Sequence, residues 1–224
     1  VPTALSIVAN WKVLDYVSLP YMEKVLFAGE VMPVKQLNYW RRKMPELLYA
    51  NLYGPTEVTD ICAYYIVDRD FADSETLPIG RACDNCDLII LREDGTEAAP
   101  GEIGELCVRG SFVAGGYYGD PDKTDAAPSC ESPALPWYPE KIYKTGDLVR
   151  YNDRGELLYL GRRDFQIKHM GYRIELGEVE AAAGAHLCSV LIHIDTAISQ
   201  KFHAVAAGGV GGLVHLPENA FDIL

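Results

Sequence analysis

Apolar residues between Leu5 and Val13 recur at the spacing of one helix face, and Val25-Leu26-Phe27 is a short apolar run that stops at Ala28-Gly29 in the manner of a buried strand. Pro33 then stands where a helix accepts proline, in its first turn. Val34, Leu37, Trp40 and Met44 mark one face of that helix until Pro45 blocks it. Leu47 to Ala50 and Ile61 to Val67 read as strands separated by a Gly54-Pro55 turn. This alternation predicts a piece of an α/β layered subdomain over residues 1–77, with too few repeats for a whole domain.

After Pro78-Ile79-Gly80 the pattern changes to short strands punctuated by turn residues. Leu88 to Leu91 precedes Asp94-Gly95, Glu105 to Val108 precedes Gly110, and Leu148 to Tyr151 and Leu157 to Leu160 flank Asp153-Arg154-Gly155. Residues 78–162 therefore read as a small antiparallel β subdomain. Within it, residues 127–139 hold four prolines and little periodicity, which predicts a surface loop. Residues 163–224 read as the start of an α+β unit, with a helix favoured from Gly177 and a strand from Leu187 to Ile194. The glycine-dense run from Ala206 to Gly212 lacks the Lys-Ser/Thr that would make it a phosphate loop.

Composition narrows the function classes. The 224 residues are 49% hydrophobic and 23% charged, ordinary for a globular protein, and the formal net charge of -12 argues against a nucleic-acid or anionic-membrane surface. No apolar stretch approaches the roughly 18 residues of a membrane span, and no leader pattern opens the chain, so a cytoplasmic location is expected. The chain starts at Val1 rather than Met, in the middle of a unit, and is read as a fragment. The six cysteines are scattered through strand-like segments and read as reduced thiols; Cys83-Asp84-Asn85-Cys86 has the spacing of half a zinc site without a second half.

The chemistry concentrates in two places. Asn51-Leu52-Tyr53-Gly54-Pro55-Thr56-Glu57 offers an amide, an aromatic ring, a hydroxyl and a carboxylate around one Gly-Pro turn. An amide reads an adenine edge, a ring stacks on it, Thr56 suits a phosphate oxygen and Glu57 suits Mg²⁺, although a plain polar turn has the same composition. Residues 142–180 gather acids, bases and glycines. Asp147 follows a Thr145-Gly146 turn and is placed to accept both hydroxyls of a ribose, or to serve as a strand-end cap or ion-pair partner. Arg162 and Lys168 suit phosphate or carboxylate, or plain solvation. The co-occurrence of these groups, without any Ser-His or Cys-His arrangement, favours a nucleotide site.

Four segments, NLYGPTE at 51–57, GELCVRGSFVAGGYYGDPDKT at 104–124, YKTGDL at 143–148 and GRRDFQIKHMGYRIELGEVE at 161–180, resemble in order and spacing the motifs of adenylate-forming enzymes. The match is nearest to the amino-acid adenylation domain of nonribosomal peptide synthetases. The resemblance implies a partial adenylate-forming fold of α/β plus β subdomains with the start of a C-terminal lid. It implies ATP and Mg²⁺ as cofactors, an amino acid activated as aminoacyl-AMP, and transfer to the thiol of a phosphopantetheine-bearing carrier protein or domain. By position, Asn51 and Tyr53 would adjoin adenine, Gly54 would border the nucleotide, and Thr56 would meet the phosphate, Glu57 the metal, and Asp147, Tyr159 and Arg162 the ribose. Asp164 would be a hinge and Lys168 would serve the nucleotide from the lid. Thr3, Leu26, Ala28, Leu52, Asp60 and Ile61 would wall the substrate pocket.

The departures matter too. The family's upstream phosphate loop and late lid lysine do not occur in these residues, so the fragment alone is expected to bind nucleotide weakly and not turn over. Gly115 and Met170 stand where arginines are usual, and the tail after Gly184 loses the pattern. An acyl- or aryl-CoA ligase and a non-catalytic nucleotide-binding remnant are the alternatives.

Overall fold

The computed structural model describes residues 1–126, 129–131, 141–163, 166–169, 172–176 and 179. The chain divides into a unit over Val1–Glu178 and a second over Val179–Leu224, and the elements below belong to the first. The helix expected from Gly177, the strand from Leu187 and the glycine run lie outside the described residues, as does Asp164.

Helix α1 spans Pro2–Asn10 and α2 spans Val34–Lys43. Strands β1 (Lys24–Ala28), β2 (Leu48–Tyr53), β3 (Ala63–Ile66) and β4 (Arg81–Ala82) form a sheet in that order. The β1–β2 pair is parallel and the others antiparallel. A parallel step needs a crossover, which α2 supplies. The face read from the periodicity is the buried one: Val34, Leu37 and Trp40 pack with Val25, Phe27, Tyr49 and Tyr65. The Trp40 indole donates to the Leu5 carbonyl at 2.9 Å, which fixes α1 against α2.

Strands β5 (Cys86–Leu91), β6 (Gly104–Gly110), β7 (Ser129–Glu131), β8 (Lys141–Tyr151) and β9 (Leu157–Arg162) build a second, antiparallel sheet, ordered β5-β6-β8-β7 with β9 paired to β8. Helix α3 (Pro121–Ala126) precedes β7, and β10 (Gln166–His169) pairs antiparallel with β11 (Tyr172–Glu175). Leu106, Val108, Val149 and Leu157 of the second sheet pack with Tyr53, Val58, Cys62 and Ala63, so one core spans both sheets. The connection between them is also pinned by backbone: Ile79 N–H donates to Leu157 O at 2.8 Å and Leu157 N–H to Gly80 O at 3.1 Å. No helix among the described residues is long and apolar enough to cross a membrane.

Three expectations change. Strand β2 does not stop at Ala50; pairing with β1 continues through Asn51 and Leu52, so these residues and Tyr53 belong to a strand rather than a loop. Thr145-Gly146 is not a turn but lies inside β8, where Gly146 takes φ 74 and the ladders shift register on either side, letting the chain bend without ending the strand. Ser129–Glu131, within the expected loop, adds to the β8 edge as β7.

Gly80 and Gly95 both take positive φ, so an alanine at either costs about 1–2 kcal/mol of backbone strain. Only at residue 80 would the added Cβ also overlap backbone, 2.0 Å from Tyr64 O. Gly80→Ala is expected to lose at least about 2 kcal/mol more stability than Gly95→Ala, read from urea midpoints at unchanged m-value. Equal losses would show that Tyr64 and the linker move aside freely.

Candidate active site

The parallel strands β1 and β2 end at Ala28 and Tyr53, and in sheets of this kind ligands bind outside the carboxyl ends of the strands. The segment from Gly54 to Ile61 leaves that edge and folds back on itself. A Cβ on Gly54 would sit 2.0 Å from Asp60 O, and Cys62 N–H closes the loop onto Tyr53 O at 2.9 Å. Thr59 and Asp60 adopt left-handed φ of 56 and 81, a strain that side-chain-bearing residues hold only where the surroundings dictate it. Val58, fully buried, anchors the loop, leaving Thr56 exposed and Glu57 half-buried. The Glu57 carbonyl accepts from Ala114 N–H at 2.8 Å, its Oε1 accepts from the Tyr117 hydroxyl at 2.8 Å, and Thr59 Oγ1 donates to Phe112 O at 2.7 Å.

Behind this loop lies a buried carboxylate. Asp147, 2% exposed, accepts from the Tyr53 hydroxyl on Oδ2 and from Arg162 Nη1 on Oδ1 at 2.9 Å. Its own N–H donates to Thr145 Oγ1 at 3.0 Å, and that hydroxyl donates to Leu106 O at 2.8 Å. Asp147 and Arg162 are register partners across β8 and β9, so the ladder itself sets the ion pair. Gly146 N–H donates to Glu105 Oε1 at 3.1 Å and Arg163 N–H to Gly146 O at 2.8 Å, which holds the bulge. Burial first, then the charge of Asp147, push the Tyr53 hydroxyl well above the usual tyrosine range, so it stays a donor.

The other expected residues are placed as follows. Asn51 is buried, and its Nδ2 donates to Pro78 O at 2.8 Å. Tyr159 is half-buried in β9. Leu26, Ala28 and Leu52 share one face of the first sheet, Ala28 directly beside Leu52, and Leu26 remains 57% exposed. Thr3 donates both its N–H and its hydroxyl to Glu30 Oε2, at 2.9 and 2.6 Å. Asp60 is exposed, so no desolvation cost attaches to its carboxylate, and Ile61 is half-buried. Lys168 lies on β10 opposite Arg173. Cys62, Cys83 and Cys86 are free thiols, and among the described residues no group of three or more His, Cys, Asp or Glu could hold a metal ion. Sequence reasoning gave no role to Glu30, Thr145 or Tyr117, each of which bonds a residue distant in the chain: Thr3, Leu106 and Glu57 respectively.

A family model described as AMP-binding enzyme matches residues 1–118, and the chain belongs to that family. It is 40% identical over 163 residues to a D-alanine--D-alanyl carrier protein ligase of Bacillus cytotoxicus, covering 72% of this chain and 31% of that protein. A protein of the same description from Bacillus anthracis is 39% identical over the same share. The chain thus spans about a third of the length of the curated relatives it matches. Among solved structures it resembles the Vibrio cholerae adenylation domain AlmE in complex with glycyl-adenosine-5'-phosphate, with 31% identity, TM-score 0.69 and coverage of 83% of this chain and 34% of that one. It also resembles holo-PA1221, an NRPS protein containing adenylation and PCP domains, with 30% identity, TM-score 0.70 and coverage of 80% and 31%. The mixed and antiparallel sheets are those of a partial adenylate-forming fold.

An unfolded tyrosine ionises near pH 10, whereas Tyr53 keeps its proton in the fold. The stability this gives is complete below pH 10 and is lost as pH rises from there toward the folded value. The urea midpoint is expected to fall above pH 10, and Tyr53→Phe to make that fall shallower by up to about 1.4 kcal/mol per pH unit. Tyr49 and Tyr65, both pushed up to about 12 mainly by burial, keep part of the slope in the variant. Identical slopes would place the Tyr53 hydroxyl in water.

Proposed function

We propose that the chain is part of an enzyme that activates the carboxylate of an amino acid with ATP and passes it to a phosphopantetheine thiol on a carrier protein. The observation that carries this reading is the convergence of Tyr53, Asp147 and Arg162 from three strands behind the strained loop that presents Thr56 and Glu57. The names of the relatives, carrier protein ligases and adenylation domains, support it. In the reaction a carboxylate oxygen forms a bond to the α-phosphorus while the bond from that phosphorus to the bridging oxygen breaks, and pyrophosphate leaves with the electron pair. Positioning and charge stabilisation carry most such transfers.

On this reading Asp147 accepts the ribose hydroxyls, Arg162 and Tyr159 complete the sugar side, and the Tyr53 ring and Asn51 adjoin adenine. Thr56, exposed at the tip of the loop, donates to a phosphate oxygen. Mg²⁺ would supply a Lewis acid that neutralises phosphate charge. A single carboxylate, with phosphate oxygens and water filling the other positions, is an ordinary donor set for that ion, and Glu57 fits it. Leu26, Ala28, Leu52, Thr3, Asp60 and Ile61 border the amino-acid side chain. Asp164 as hinge, Lys168 as a lid group, the division at 77 and 162, and a cytoplasmic setting belong to the same proposal.

The test is pyrophosphate exchange by the full-length gene product with ATP and single amino acids, D-alanine and glycine included. Exchange with one or a few amino acids supports the proposal; exchange only with fatty or aryl acids would reassign it to a CoA ligase, and none at all would make it a binding remnant. Thr56→Ala is expected to lower exchange by about a hundredfold. Because Thr56 is exposed, the unfolding midpoint should stay within about 0.5 kcal/mol of wild type.

A further inference from the structure

The segment from Phe112 to Thr124 packs against the loop that carries Glu57. Gly116 takes φ +146, and a Cβ there would lie 2.3 Å from Thr124 Cγ2, so only glycine lets the chain pass. Thr124 Oγ1 accepts from Tyr117 N–H at 2.9 Å and donates to Asp120 O at 2.8 Å, which clamps the backbone of Tyr117. Lys123 Nζ lies 4.7 Å from the centre of the Tyr117 ring. The backbone and the ring face of Tyr117 are thus both engaged, and its hydroxyl meets Glu57 Oε1 at 2.8 Å across 60 residues of sequence. Ala114 N–H fixes the Glu57 backbone from the same segment.

A glutamate side chain has several rotatable bonds, and a metal ligand must hold one of the many orientations they allow. We infer that Tyr117 is a positioning residue: its hydroxyl holds the Glu57 carboxylate in the orientation that meets a divalent cation on the nucleotide phosphates. The inference rests on the metal role proposed for Glu57. Such a residue acts on metal affinity and leaves the contacts to base and sugar alone, since Asp147 and Tyr53 are held by other partners. It also explains why the segment ends its Gly-Gly step with tyrosine: phenylalanine would fill the same volume without the donor.

The experiment measures Mn²⁺ binding to the full-length protein with a non-hydrolysable ATP analogue, following free Mn²⁺ by electron paramagnetic resonance. The affinity for the analogue in EDTA is measured in parallel. Tyr117→Phe is expected to weaken Mn²⁺ about ten- to a hundredfold, the range for losing one hydrogen bond to a charged group, with no change in EDTA. In a Glu57→Gln background the same substitution should add nothing. If Glu57→Gln weakens Mn²⁺ and Tyr117→Phe does not, or weakens the metal-free complex equally, the positioning role is overturned and the metal role of Glu57 stands. If Glu57→Gln leaves Mn²⁺ binding unchanged, the metal role itself fails and the positioning role with it.

Discussion

A charge in the interior sets the terms for the rest of this molecule. Asp147 is almost fully buried, and an isolated carboxylate there would cost far more than the fold could bear. It is tolerated because Arg162 and Tyr53 meet its two oxygens. Those partners stand on β9 and β2, so satisfying one carboxylate requires both sheets to take up one relative placement. The apolar core that crosses the same seam and the backbone bonds at Ile79, Gly80 and Leu157 do the bulk of the holding. Buried ion pairs contribute little net stability, and well-packed apolar residues often replace them without loss. The pair therefore fixes how the two sheets meet more than it adds to their stability.

The loop at the end of β2 follows a different logic. Two residues with side chains sit at left-handed φ, and a glycine has no room for a Cβ. That strain is offset by Val58 in the core, by the closing bond at Cys62 and by three bonds to the segment from Phe112 to Tyr117. A loop so constrained has little freedom left to lose when it binds something, which is what positioning a nucleophile against phosphorus demands.

Much of the framework was legible from residues alone, and the reasons differ by element. Helix α2 was readable because every buried position carries a large apolar side chain at helical spacing. The end of β2 was not, because Asn51 is polar yet buried; its amide is satisfied by Pro78 O, 27 residues away, and no local pattern records that bond. Thr145-Gly146 reads as a turn by composition, but the glycine absorbs a positive φ inside a strand whose neighbours on both sides were waiting to pair. The residue types at 51–57 and 143–162 suggested adenine, phosphate, metal and ribose roles beside plainer ones such as a polar turn or an ion pair, and the resemblance is what chose between them. The Glu57–Tyr117 bond was invisible to any reading along the chain.

Strand parity then constrains how the proposed reaction is laid out. Along β2, Asn51 and Tyr53 face the buried side of the first sheet, whereas Leu52 faces the other side together with Leu26 and Ala28 of β1. Asn51 and Tyr53, assigned to the nucleotide, and Leu26, Ala28 and Leu52, assigned to the amino acid, are thus on opposite faces of the same pair of strands. Ligands on the two faces can meet around the carboxyl ends of the strands, where sites in sheets of this kind lie. The segment from Gly54 to Ile61 wraps that edge, and Thr56 and Glu57 are carried on it. On this layout the carboxylate and the α-phosphorus meet at the loop, so its rigidity, more than the detail of either pocket, governs how closely the two reacting atoms approach.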